Sequence, residues 1–334
     1  MRIAIVKLSA LGDIVHAMVA LQFVRKAYPE CQIDWIVEQG FSGLLMDNPD
    51  INQVLTVNLK SLKKNKAHVF KELKRIKHYA DNHYDLVIDA QGLIKSALTA
   101  RLISKTTAGF DKASVREKMA SYLYNKKVSF PYDANTIDRN VAVICQPLGI
   151  QVTEQQILDK TPFLFYKPWD SQLEEYFNHD RANVLFVIGS TWPSRNYPKQ
   201  HYLNVINKLN VNSLIIWGNE QEKHDADWIA DKTDKVKVLP KLNFNALKGV
   251  LDKVDLVIGN DTGPTHMAWG LNTPSITLFG PTPVSRVYQT NINKVIKSPS
   301  TVNPFKLDKS DFSIKEIDEN EVVKLAQMLT LTNG

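Results

Sequence analysis

"RIAIVKLSALGDIVHAMVA", Arg2 to Ala20, sets four consecutive apolar residues, Ile3 to Val6, just ahead of a Gly-Asp pair and an apolar helical stretch that starts at Ile14 and runs to Ala27. A short Val/Ile-rich run that empties into a turn and then a helix is the opening half of a βαβ unit, from which parallel sheets are wound. The alternation continues along the whole chain. In the first half strands read at "RIAIVK", "QIDWIVE", "QVLTVNL", "DLVIDAQG" and "TTAGF"; in the second at "NVLFVIGS", "SLIIWGNE", "VKVLPK", "DLVIGND" and "SITLFGPT". Between the halves, Gly149 to Asp170 has mixed polarity, two prolines and weak periodicity, and reads as a connector. The pattern predicts an α/β protein of two doubly wound domains facing each other across a cleft at the carboxyl ends of both sheets, where such folds bind ligands.

Composition narrows the class. The 334 residues are 44% hydrophobic and 23% charged, as in soluble globular proteins. No apolar run reaches the roughly 18 to 20 residues of a membrane span, and Met1-Arg2 leads at once into strand pattern, so neither a span nor a signal peptide is expected. Cys31 and Cys145 fit no disulfide framework and no zinc spacing, and read as buried thiols. A net charge of +6 points to an anionic partner: nucleic acid, a phosphorylated substrate or an acidic membrane surface.

The most specific stretch is "DLVIGNDTGPTHMAWG", Asp255 to Gly270. A buried strand ends at Asn260-Asp261, a turn follows at Thr262-Gly263-Pro264-Thr265, and a helix is predicted from about His266. Gly263 admits close approach of backbone to a ligand, and the free N–H groups of a helix N-terminus favour an anion such as a diphosphate. His266 in the first turn is a candidate phosphate contact; an ordinary helix capped by Thr262 or Asp261 is the plainer alternative. Two more strand ends point to the same cleft. After "SLIIWG" comes Glu222, placed where Rossmann-like domains hold ribose hydroxyls, against the alternative of a solvated carboxylate. After "NVLFVIG" come Ser190, Thr191 and Arg195, two hydroxyls and a guanidinium suited to phosphate oxygens, or else a capped loop with a surface arginine. Neither half carries G-x-G-x-x-G or G-x-x-x-x-G-K-[ST], against a nicotinamide dehydrogenase or P-loop ATPase.

Between Lys60 and Lys77 stand eight Lys or Arg against one acid, Glu72. Val69, Leu73 and Ile76 at helical spacing predict an inner face, leaving Lys71, Lys74 and Lys77 outside. Lys60, Lys63 and Lys64 fall just beyond a strand end, where a charged substrate would lie. Few aromatic side chains accompany them, against single-stranded nucleic acid.

These residues together resemble the bacterial lipopolysaccharide heptosyltransferases. The resemblance spans nearly the whole chain: "GDIVHAMVAL", "DWIVEQGF", "DAQGLIKSAL", "REKMASYLYN", "WGNEQE" and "NDTGPTHMAWG" through "FGPT", with "VEQGF" and "DAQGLIKS" favouring the first heptosyltransferase over the second. It implies a GT-B fold: an acceptor domain over 1–160, a donor domain over 170–315, and a closing helix in 316–334 that packs back toward the first domain. It implies an inverting transfer of L-glycero-D-manno-heptose from ADP-heptose to the Kdo of Kdo2-lipid A, by a monomer at the cytoplasmic face of the inner membrane, with no nucleic-acid partner, metal or further cofactor. By position, Asp13 is the general base that takes the acceptor hydroxyl's proton. A helix N-terminus weakens a carboxylate base, which implies late proton transfer; a mere N-cap is the alternative role. The donor would meet Ser190, Thr191, Arg195, Glu222, Leu242, Asp261, Thr262, Gly263 and His266, and the acceptor Ser9, Gly12, Lys60, Lys63, Lys64 and Arg116. Two departures stand out: Arg195 replaces the family's usual lysine, and Trp192-Pro193 is unlike its pattern. Two other readings stay open, another GT-B nucleotide-sugar enzyme such as a second heptosyltransferase or a hydrolysing epimerase, and a basic protein that binds nucleic acid or acidic lipid.

Overall fold

Each half of the chain builds one parallel sheet of six strands. The computed structural model describes residues 1–59 and 68–331. The chain divides into two units, Met1–Phe165 and Tyr166–Gly334, a division that falls inside the predicted connector. In the first, β1 (Arg2–Val6), β2 (Gln32–Glu38), β3 (Gln53–Val57), β4 (Leu86–Asp89), β5 (Thr107–Phe110) and β6 (Lys126–Val128) lie in the order β3-β2-β1-β4-β5-β6. In the second, β7 (Asn183–Val187), β8 (Asn212–Ile216), β9 (Val236–Val238), β10 (Leu256–Asn260), β11 (Ser275–Phe279) and β12 (Asn293–Lys297) lie in the order β12-β11-β10-β7-β8-β9. Read from the other edge, the second order is the same as the first. In both units the winding reverses at one junction, β1 with β4 and β7 with β10, and a reversal of this kind opens a crevice at the carboxyl ends of the two strands.

The central strands are continuous apolar runs because helices cover both faces of a parallel sheet. Ile3 to Val6 and Leu256 to Ile258 are fully buried. The two strands that the sequence pattern does not show, β6 and β12, are two of the four edge strands: each pairs with one neighbour only and carries lysines, as edges that avoid further pairing do.

Three local expectations change. The helix after β1 begins at Leu11, three residues before the apolar stretch, and runs as Leu11–Met18 and Ala20–Ala27; Gly12 and Asp13 therefore lie in its first turn. In the helix His68–His78 the inward residues are Glu72 and Ile76, while Leu73 is exposed. Glu72 turns in because its Oε1 accepts the Asn58 N–H at 2.7 Å and a bond from Arg75. The closing helix, Glu319–Leu331, buries Val322, Ala326 and Leu329 in the core of the second unit, against the helix Lys199–Lys208. It belongs to that unit. Lys60, Lys63 and Lys64 lie outside the described residues.

Close packing at the β7/β10 junction depends on Gly259. A Cβ there would fall 2.5 Å from Thr265 Oγ1 and 2.6 Å from Val187 Cβ, both on fixed elements. Gly259→Ala should lower stability by about 1–3 kcal/mol, read as a lower urea midpoint with an unchanged slope.

Candidate active site

The carboxyl end of β10 carries the chemistry of the second unit. Asn260 and Asp261 are both buried. Asn260 ties the two strand ends of the junction together: its Oδ1 accepts the Tyr197 N–H at 3.0 Å and the Tyr202 O–H at 3.1 Å, and its Nδ2 donates to the Ile188 carbonyl at 2.8 Å. Asp261 Oδ1 pairs with His266 Nε2 at 2.9 Å. Asp261 Oδ2 accepts from Thr282 Oγ1 at 2.7 Å and from Arg195 Nη1 at 3.2 Å, with Arg286 Nη1 at 3.5 Å. Burial alone would raise this carboxyl, but Arg286, His266 and Arg195 together outweigh it and hold Asp261 far below the ordinary carboxylate range. Asp261 is therefore an anion at any working pH.

The helix Gly263–Leu271 starts directly after it. Helical geometry begins at Gly263, three residues ahead of the expected start at His266. The extended Thr262 occupies the N-cap, its side chain makes no capping hydrogen bond, and Pro264 sits in the first turn, where its missing N–H costs nothing. The Asp261 carboxylate is spent on the two arginines, His266 and Thr282, which sets aside the simple Asp-capped helix. The Nε2 of His266 faces Asp261, so its first partner is the carboxylate.

The loop after β7 comes to the same place. Arg195 ends a short 3-10 turn, Pro193–Arg195, and its guanidinium lies over Trp192 at 4.8 Å. Lys309 lies over the same ring at 4.7 Å. Ser190 Oγ donates to the Trp192 carbonyl at 2.9 Å, while Thr191 is exposed. Glu222 is the third residue of the helix Glu220–Ala230; its Oε2 accepts the Gly218 N–H and its Oε1 the Asn219 side-chain amide, both at 2.7 Å. A Cβ on Gly189 would fall 2.1 Å from the Glu222 carboxyl carbon, so the half-buried Glu222 lies against the backbone just beyond β7. Leu242 is half-buried in the segment before the helix Phe244–Lys253. Arg286 and Thr282 were not singled out in the sequence. Their one sequence signal is the proline-bounded loop "GPTPVSR" after β11, at a strand end like the others.

The first unit builds a second polar cluster at its own junction. The loops after β1 and β4 are joined by Gln91 Oε1, which accepts the N–H groups of Leu8 and Ser9 at 3.0 and 3.1 Å. Lys7 is buried, and its Nζ donates to the Ala90 carbonyl at 2.8 Å and to Asn140 Oδ1 at 2.9 Å. Burial lowers the Lys7 ammonium, and the charges of Asp13 and Asp89 oppose that fall. Asp89 is itself raised by burial, against hydrogen bonds from Tyr124 and Ser96. Asp13 is partly exposed, in the third position of its helix, where Oδ2 accepts the Ala10 N–H at 3.3 Å. It makes a local helix-start contact without being the N-cap, which is Ala10. Ser9 and Gly12 flank it, half-buried; Arg116 is exposed. Lys7 was missed because a lysine at a strand end looks like surface charge. Among the described residues no three His, Cys, Asp or Glu gather as metal ligands.

Two α/β units, each with a parallel six-stranded sheet of this order, are the architecture of the GT-B glycosyltransferases. The chain belongs to glycosyltransferase family 9 (heptosyltransferase), whose model matches residues 72–310. It is 34% identical over 347 residues to lipopolysaccharide heptosyltransferase 1 of Campylobacter coli, covering 98% of this chain and 99% of that one. To the enzyme of the same name from Escherichia coli K12 it is 32% identical, covering 84% and 88%. The solved E. coli heptosyltransferase WaaC with ADP-2-deoxy-2-fluoro heptose superposes with a TM-score of 0.80 at 26% identity, over 98% of this chain and 99% of that one.

The depressed Asp261 fixes a pH dependence. Its ionised form is favoured in the folded state, so its contribution is present above the unfolded carboxyl value, about 4, and is lost as pH falls below it. Wild-type stability should drop by about 1.4 kcal/mol per pH unit more steeply than that of Asp261→Asn below about pH 4, as denaturant titrations at stepped pH would show.

Proposed function

We propose that this glycosyltransferase moves L-glycero-D-manno-heptose from ADP-heptose to the Kdo of Kdo2-lipid A, with inversion at the anomeric carbon. The observation that carries the donor half is the buried Asp261 held between Arg195 and Arg286 at the start of the helix Gly263–Leu271. Two guanidiniums gathered beside a helix N-terminus suit the oxygens of a diphosphate. Arg195 and Arg286, with Thr262 and the backbone at Gly263, hold the phosphate oxygens; Glu222 takes the ribose hydroxyls. Asp261 is a positioning residue that fixes both arginines. As the bond from the anomeric carbon to the phosphate oxygen breaks, its electron pair stays with ADP, and the same guanidiniums stabilise the growing charge. Because this cationic charge is supplied by the protein, the reaction needs no divalent ion.

Asp13 accepts the proton of the acceptor hydroxyl while that oxygen forms the new bond to the anomeric carbon. In the first turn of a helix its carboxylate is a weak base, so the proton moves late, when the bond to ADP is largely broken. Arg116 and the basic cluster Lys60, Lys63 and Lys64 meet the acceptor's carboxylates and phosphates. One chain supplies every role, so the enzyme works as a monomer, at the cytoplasmic face of the inner membrane where its acceptor is anchored. The curated relatives named lipopolysaccharide heptosyltransferase 1 and the ADP-sugar analogue in the solved relative support this reading over a second heptosyltransferase or an epimerase.

Two variants separate the roles. Asp13→Asn should lower kcat by roughly 100-fold or more with ADP affinity within about twofold, whereas Arg286→Met should weaken ADP binding by about tenfold. Calorimetry with ADP and a coupled ADP-release assay read both; retention of more than about a tenth of turnover by Asp13→Asn would remove it as the base.

A further inference from the structure

We infer that the first unit carries a docking surface for an anionic phospholipid bilayer, formed by the helices His68–His78 and Ile94–Ile103 and the 3-10 segment Lys118–Leu123. Among the described residues of this unit, nine large apolar side chains are exposed, and six of them come from these three elements. The elements are neighbours: the first helix packs on the second, and the second on the 3-10 segment. Phe70 is 81% exposed and stands one turn from the exposed Leu73. Ile94 and Leu98 are four apart on the second helix, hence on one face. Met119 and Tyr122, 64% and 61% exposed, are three apart in a 3-10 segment, where such side chains eclipse. A soluble surface normally scatters such residues singly.

The apolar pairs stand on a fixed base. Asp89 Oδ2 accepts hydrogen bonds from Ser96 Oγ at 2.8 Å and Tyr124 Oη at 2.6 Å, clamping the second helix to the end of the 3-10 segment. The Ile94 N–H donates to Glu117 Oε2 at 2.7 Å, a second tie between them. Backbone segments tied this way present their apolar side chains to a bilayer interface without a large backbone ordering cost.

Charge identifies the occupant. Residues 94–127 contain eight Lys or Arg against two acids, Asp111 and Glu117, and Glu117 is already tied to the Ile94 backbone. Lys95, Arg116 and Lys118 are exposed beside the apolar pairs, and Lys112 lies over the Tyr122 ring at 5.8 Å. On the first helix Lys71, Lys74 and Lys77 are exposed while Glu72, the acid among them, is buried. Small apolar groups set among long cationic side chains match a bilayer interface: the apolar tips reach the acyl boundary and the ammonium groups meet anionic headgroups. A second copy of the chain would bring like charge against like.

The inference rests on the proposed function for its relevance, since that acceptor is anchored by acyl chains; acceptor-free vesicles test it separately. The full chain should sediment with phosphatidylcholine vesicles containing phosphatidylglycerol at least about tenfold more strongly, about 1.4 kcal/mol, than with phosphatidylcholine alone, and less so as salt rises. Phe70→Ser/Met119→Ser/Tyr122→Ser should lose at least about tenfold of that binding with an unchanged thermal midpoint, because the three side chains are exposed. Phe305→Ser, an exposed aromatic of the second unit, should bind vesicles as wild type does. The inference is overturned by equal binding to neutral vesicles, by a triple variant that binds like wild type, by an equal loss in Phe305→Ser, or by self-association or duplex DNA capture in place of vesicle binding.

Discussion

The second unit depends on one buried charge. Asp261 is almost wholly out of water, and an unpaired carboxylate there would be prohibitively costly. Its stability comes from Arg195, Arg286, His266 and Thr282, which arrive from three parts of the chain: Arg195 from the loop after β7, Thr282 and Arg286 from the loop after β11, and His266 from the helix after β10. Pairing therefore fixes three segments at once. Both guanidiniums and the positive end of the helix dipole meet at this one carboxylate. The contacts that join these loops also bring together the groups proposed to hold the donor's diphosphate.

The first unit repeats the construction with other chemistry. Its junction loops are joined by Gln91, and a buried lysine and a buried aspartate, Lys7 and Asp89, stand behind Asp13. The partly exposed carboxylate here is Asp13, the one proposed as the proton acceptor. Asp89 serves two neighbourhoods: it sits at the end of β4 beside the Asp13 region, and its hydroxyl partners hold the elements that carry the apolar pairs of the proposed bilayer surface.

The fold was legible because buried parallel strands leave continuous apolar runs, and ten of the twelve strands read directly from them. β6 and β12 did not, since Lys126–Val128 and Asn293–Lys297 place lysines where an apolar run would stand. At the site, Asp261, Thr262, Gly263 and Arg195 were legible because strand-end loops and helix starts have local signatures. Arg286 and Thr282 were not, since their role exists only through contact with a residue more than twenty positions away. Leu73 shows the limit of periodicity: spacing placed it inside, but the hydrogen bonds of Glu72 to Asn58 and Arg75 turn the helix so that a carboxylate takes the inner position. The exposure of Phe70, Met119 and Tyr122 likewise could not be read from composition, because an apolar residue in a helix is ordinarily an inward one.

The central claim is heptosyl transfer onto the Kdo of Kdo2-lipid A with inversion. The most direct measurement is mass and proton NMR analysis of the lipid product formed from ADP-heptose in the presence of a chelator, with Kdo2-lipid A and its already heptosylated form offered in parallel. The account predicts one added heptose on the unmodified acceptor, an anomeric configuration opposite to that of the donor, and release of ADP at an undiminished rate. Transfer to the heptosylated acceptor alone, or retention of the donor configuration, would contradict it.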